Sequence, residues 1–266
     1  MPLFQQPFMS GGFPSMNRGV NFCTATISST ATMGTGGNFD TDYTGTGLSK
    51  SASGQETCNA WDWSGGAANA TKGPTNSDYS ISSTTAFTMT AWVYPTSVGT
   101  THGIIGFYGN LTGTHWAAIR ILSDDKVQAW SSNNGVTTVE TIKTTNTISV
   151  NTWHHLAFIH DGTTHTVYLD ADTGSKGTGT GDGGAASSGN WVIAGGWGHN
   201  VTIPTAPFLK GRIDQAVIWD SALTEANITT LYNSGTPILP DVVDANNIKG
   251  YWNFSETSGA AENKAV

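Results

Sequence analysis

The sequence predicts an all-β fold of two antiparallel layers with one short helix near the C-terminal end. Three observations carry that expectation. From Trp153 to Ile159 the side chains alternate in the strand period: Trp153, His155, Ala157 and Ile159 share one face, and His154, Leu156, Phe158 and His160 the other. Both faces carry apolar bulk, as a central strand between two layers requires. Charged residues make up only 11% of the chain while Gly, Ser, Thr and Asn are plentiful, which suits many short strands joined by turns. A short capped helical pattern then follows Thr224.

Each element can be justified in chain order. Residues 1–20 are rich in Pro, Gly, Phe and Met with almost no charge and read as an extended arm. Its large apolar side chains are expected to be buried against a neighbouring subunit, the alternative being that the arm wraps around its own domain. Residues 21–83 hold Gly/Ser/Thr runs around Asn59-Ala-Trp-Asp-Trp63 and are expected to give outer strands and long loops. Phe87-Thr-Met-Thr-Ala-Trp-Val-Tyr-Pro95 reads as a strand. Asp161-Gly162 supplies a turn that tolerates positive φ, and Thr164 to Asp170 returns as the second strand of a hairpin. Asn133-Asn134-Gly135 and the low-complexity stretch Gly174 to Gly189 are expected to be loops. Thr224 is placed as a helix N-cap, with Glu225 suited to the dipole, Leu223, Ile228 and Leu231 as the buried stripe, and Gly235 as the stop. A last strand over 250–256 completes the same sheet, giving one domain over 21–266.

Three of these stretches carry a resemblance. Phe87–Pro95, the Trp153-His-His, Asp161-Gly162 and Tyr168-Leu-Asp170 signature, and Phe208–Asp220 resemble the laminin-G-like, concanavalin A-like lectin family of the pentraxin type, over about residues 84–235. The resemblance implies a concanavalin A-like antiparallel β-sandwich (jelly roll). It implies a structural place for His154 and His155 beside Trp153, core positions for Trp92, Trp153 and Trp219, and a hydrogen-bonding role for Asp214. Gly250 to Gly259 resembles a strand that often opens a domain in the family, whereas here it comes last. Family members include lectins, adhesion modules and virion surface domains, so function must be argued from the site.

Charge and length exclude several classes. A net charge of −8 with eleven basic residues, none clustered, speaks against nucleic-acid binding. No segment is apolar for eighteen residues, so no helix is expected to span a membrane. The first residues lack the charged and apolar regions of a secretory signal. Either a signal has been removed, or the protein reaches the outside by another route, such as assembly onto a virus particle. Cys23 and Cys58 are too few for a disulfide framework.

Catalysis is not expected. The resemblance implies that a glycosidase of this fold would carry a Glu-x-Asp-x-Glu strand, and none of the five glutamates stands in that spacing. No Ser-His-Asp motif or nucleophile elbow occurs. His160 and His165 flank the hairpin turn and are expected to face each other. Relatives hold Ca²⁺ on rim loops, so Asp124, Asp125, Asp170 and Asp172, with Asp182, are the candidate ligands, although turn formation also explains them. Sugar rings stack on aromatic faces while polar groups fix their hydroxyls. Trp61, Trp63, Trp116, Trp191 and Trp197 lie near turns or strand ends and, with His199 and Asn200, are the candidate glycan contacts.

The expected protein is a non-catalytic virion surface protein of a bacteriophage: a capsid decoration, head fibre or tail-associated domain. It would be homo-oligomeric, contact other virion subunits through residues 1–20 and present its rim to host glycans. The alternative is a secreted or cell-surface calcium-dependent lectin.

Overall fold

The computed structural model describes residues 61–62, 71–72, 86–109, 116–132, 139–180, 189–193 and 209–252, with backbone alone at 61–62, 71–72, 108–109, 116, 132, 139–141 and 189–192. The arm, Cys23 and Cys58 lie outside these residues. Among them, thirteen strands form two antiparallel sheets. The seven-stranded sheet runs β1 (Trp61–Asp62), β12 (Gly211–Trp219), β3 (Phe87–Pro95), β8 (His154–His160), β9 (Thr164–Leu169) and β10 (Gly177–Thr180), with β13 (Ile248–Trp252) also paired to β12. The six-stranded sheet runs β2 (Thr71–Lys72), β11 (Gly189–Ile193), β4 (His102–Gly109), β5 (Trp116–Ile121), β6 (Lys126–Ser132) and β7 (Val139–Thr147). This is the β-sandwich the sequence implies.

The strand period sorts side chains into layers. Phe87, Met89, Ala91 and Val93 of β3 point between the sheets with Leu156 and Phe158 of β8, facing Ala117, Ile119, Val127 and Ala129 of the opposite sheet. Phe87 and Phe158 meet edge to face, with centroids 5.2 Å apart. The other phase of the seven-stranded sheet forms a second apolar layer. Ala157, Ile159, Tyr168, Val217 and Trp219 pack against Leu223, Ile228 and Leu231 of the helical segment. Each fully buried large aliphatic side chain contributes about 1.5–3 kcal/mol of transfer free energy. Both faces of β8 are therefore apolar because each meets its own layer.

The helix α1 (Glu225–Tyr232) begins as expected. Thr224 Oγ1 accepts from the Asn227 amide at 3.1 Å, and Asn227 Oδ1 accepts from the Thr224 amide at 2.9 Å, a reciprocal box. It ends two residues before the expected stop. Asn233, whose short amide side chain tolerates the left-handed region, takes φ 42° as the C-cap. A second, four-residue helix, α2 (Asp241–Asp244), precedes β13.

Two further expectations need correction. The stretch 174–189 contains β10, although Gly-Thr-Gly-Thr has no apolar alternation to announce a strand. It pairs with β9 through backbone alone, Gly177 opposite Val167 and Thr180 opposite Thr164. Trp153, expected in the core, precedes β8 and is half-buried. It packs on Tyr94, with ring centroids 5.6 Å apart. Trp92 and Trp219 are buried, in the layer beneath α1 rather than between the sheets.

Candidate functional site

The two sheets differ in what covers their outer faces. α1 lies on the seven-stranded sheet; among the described residues no helix lies on the six-stranded one. On that sheet Ile119, Val127, Ala129 and Ile142 point inward, so Arg120, Gln128, Trp130 and Lys143 stand on the opposite face. Register makes Arg120, Gln128 and Lys143 one cross-strand row over β5, β6 and β7. Trp130 stands in the next row, between Ala118 and Thr141, and Ala118 is itself opposite Gly106. The Arg120 guanidinium lies 4.9 Å over the Trp130 ring, and its Nε–H donates to Gln128 Oε1. Trp130 is 9% exposed beneath that cation. An aromatic ring, a guanidinium, an amide and an ammonium thus adjoin small-residue strand positions. Such a set can bind a ring with polar substituents.

Of the expected metal ligands, the four among the described residues are each already engaged. Asp124 and Asp125 form the β5–β6 turn, where Asp125 takes φ 62°. Asp124 pairs with Lys143 at 2.7 Å, and that hydrogen bond holds its carboxyl below the usual carboxylate range. Asp125 Oδ1 accepts from the Gly99 amide at 2.6 Å. After β9, Asp170 and Ala171 both take positive φ (54° and 55°), and the Asp172 amide donates to Leu169 O at 3.0 Å, closing a tight turn. Asp172 accepts from the Gly174 amide at 2.9 Å and from Asn146 Nδ2 at 2.8 Å. The Gly174 bond is the main cause of its lowered pKa. Asp124 and Asp172 therefore both clasp β7, through Lys143 and Asn146. Among the described residues no three carboxylate, imidazole or thiol groups gather as a metal site would require. Asp182 lies outside the described residues.

Asp170 orients the family-signature histidines. Its Oδ1 accepts from the His155 amide at 2.8 Å and its Oδ2 is 2.7 Å from His154 Nδ1. His154 Nε2 is 2.9 Å from Ser149 Oγ, a Ser–His–Asp connectivity that no sequence motif announced. The backbone N–H of Ser149 also reaches that Nε2, at 3.3 Å. An amide only donates, so Nε2 is the acceptor and Nδ1–H donates to Asp170. His160 and His165 face each other as expected, directly opposite in register with centroids 4.6 Å apart. Ser131 Oγ of the opposite sheet lies 3.1 Å from His165 Nε2. Asp214 is buried and accepts from the Gln215 amide at 2.7 Å.

The expected glycan contacts fall as follows. Trp61 is opposite Ile213, Trp116 stands between Tyr108 and Ser132, and Trp191 is opposite Phe107. Trp63, Trp197, His199 and Asn200 lie outside the described residues. Trp130 and Arg120 were not anticipated. Their signal lies in Lys126–Ser132, where Val127, Ala129 and Ser131 take the inward phase and Trp130 is a large apolar residue in the outward, polar one.

Comparisons with known proteins agree with this architecture. The sequence profile described as the concanavalin A-like lectin/glucanases superfamily matches residues 64–229. A comparison with curated protein sequences gave no match. Among solved structures, domain 4 of AbnA, an extracellular arabinanase from Geobacillus stearothermophilus in complex with arabinotriose, is 22% identical. Its TM-score is 0.53, over 74% of this chain and 86% of that one. The binding domain of a paraclostridial mosquitocidal protein is 17% identical with a TM-score of 0.51, over 77% of this chain and 52% of that one. A protein from Bacteroides ovatus is 15% identical with a TM-score of 0.46, over 68% of this chain. The present chain spans half the length of that Bacteroides structure. At these identities the likeness is one of fold. With the profile covering 64–229 and the strands in two antiparallel sheets, the chain belongs to the concanavalin A-like lectin/glucanases superfamily.

Proposed function

We propose that this chain is a non-catalytic carbohydrate-binding domain that takes saccharides on the outer face of its six-stranded sheet. The observation that carries the reading is the Arg120–Gln128–Lys143 row beside Trp130, on the face that carries no helix among the described residues. A saccharide ring would stack on Trp130 while the planar donors of Arg120 and Gln128 meet its hydroxyls. Arg120 lies over that ring, which is 9% exposed, so a saccharide would meet the guanidinium and the uncovered margin of Trp130 together. The arabinotriose complex of the arabinanase domain is consistent with this use of the fold.

The finer setting we propose is the surface of a bacteriophage particle, with residues 1–20 as the contact to other virion subunits. Its support is the uncharged, aromatic composition of those residues. Deleting 1–20 should abolish incorporation into particles while leaving the sandwich folded, and normal incorporation would overturn it.

The binding reading is tested by a glycan array probed with the purified chain, with calcium and again with EDTA. Reproducible saccharide binding that disappears in Trp130→Ala and is weakened in the gentler Trp130→Phe is the expected result. Silence in both conditions would overturn it.

A further inference from the structure

Resting on the glycan-binding reading, we infer that the face of the six-stranded sheet selects saccharides that carry a carboxylate, such as uronic or sialic acid residues. The chain has eleven basic residues against nineteen acidic ones. Two of the eleven, Arg120 and Lys143, nevertheless flank Gln128 in a single cross-strand row. Adjacent strands lie about 5 Å apart, so the two cations sit within reach of one short oligosaccharide.

Each cation is arranged to take an anion. Arg120 has its plane set twice, by stacking over Trp130 and by the Nε–H bond to Gln128, whose amide is buried. A guanidinium matches a carboxylate bidentately, and pre-setting its plane lowers the cost of presenting it. Lys143 already holds a carboxylate, that of Asp124, at 2.7 Å. Both side chains of that pair are nearly half exposed, 46% and 44%, so water screens it and an incoming carboxylate can take Asp124's place. A neutral sugar would be served by amides and hydroxyls alone. Two cations beside an aromatic ring, on a protein of net charge −8, are local attraction placed against an overall repulsive field. That balance also makes binding dependent on salt.

The experiment is the glycan array read in matched pairs: uronate oligosaccharides against their methyl esters, and sialylated glycans against their asialo forms. It is run with the full chain, Arg120→Gln and Lys143→Gln, each checked by thermal melt. Acidic members should bind about tenfold more tightly than their neutral partners. Arg120→Gln should erase that preference, and Lys143→Gln should reduce it several-fold. The Lys143 side chain is exposed, so its variant keeps the test available if Arg120→Gln fails to fold. Neutral partners bound as well as acidic ones would overturn this inference and leave the glycan-binding reading standing. An array silent for every pair would overturn both.

Discussion

His155 shows how one buried ring ties sequence to stability. It lies on the outer phase of β8, its ring 5.1 Å from Trp92, in the layer next to α1. Burial pushes its pKa down to about 4 from 6.5, with the Asp170 carboxylate opposing only weakly. Between those values the unfolded chain binds a proton that the folded chain does not. Stability is therefore complete above pH 6.5 and declines as pH falls toward 4, by up to about 3 kcal/mol. Urea midpoints measured from pH 7 to 4.5 should fall accordingly, and His155→Phe should flatten that part of the curve. An unchanged slope in the variant would place the proton elsewhere. Ser149 makes a second test at this scale. The Nε2 lone pair of His154 is shared between the Ser149 hydroxyl and the Ser149 amide, within one six-residue loop. That arrangement clasps the loop and leaves the hydroxyl no dedicated base, so a fluorophosphonate probe should not label Ser149. Labelling abolished by Ser149→Ala would contradict a non-catalytic domain. The histidine faces were legible from alternation alone. The Ser149 clasp was not, because it depends on the turn at Asn151, where φ is 57°.

At the scale of elements, what could be read was whatever carried a side-chain period or a cap. The hairpin β8–β9, the strand β3, and the start and buried stripe of α1 all announce themselves through apolar spacing or through Thr224. β10 did not, because its four residues contribute backbone rather than side-chain packing. Gly177 shows why the sequence looks that way. A Cβ built there would lie 2.4 Å from the carbonyl oxygen of Lys143 and 2.9 Å from its amide nitrogen, so β10 crosses directly against the backbone of β7. The Thr145 amide, donating to Ser175 O at 2.9 Å, ties the same two segments. Gly177→Ala should therefore push β10 off β7 and cost about 1–3 kcal/mol. Thr178→Ala, at an exposed neighbour, should change the melting temperature little. Equal melts for the two variants would show that the close approach is not required.

For the molecule as a whole, the open issue is whether its acidic surface serves an ion or the fold. Nineteen acidic residues and rim turns rich in aspartate invite a calcium reading, and residue types alone support it. Geometry points the other way for the four aspartates in question. Asp124 and Asp172 hold two positions on β7, Asp125 fixes the segment at Gly99, and Asp170 orients His154 and His155. Calcium takes six to eight oxygen ligands. Recruiting these carboxylates would break at least four hydrogen bonds or ion pairs that join β7, the β9–β10 turn and the β3–β4 loop to the sandwich. Sequence could not separate the two roles, because a turn-forming aspartate and a ligating one have the same neighbours of Gly, Ser and Thr, and only the donor on each oxygen tells them apart. Thermal melts in millimolar calcium and in EDTA should therefore superimpose, and saccharide binding on the array should survive EDTA. A melting temperature that climbs with calcium concentration, as binding to the folded state alone requires, would show that the rim rearranges to hold the ion. Asp172→Asn then separates the roles. It should lower the melting temperature equally with and without calcium if the carboxylate only accepts from Gly174 and Asn146, whereas a calcium ligand would lower it only when the ion is present.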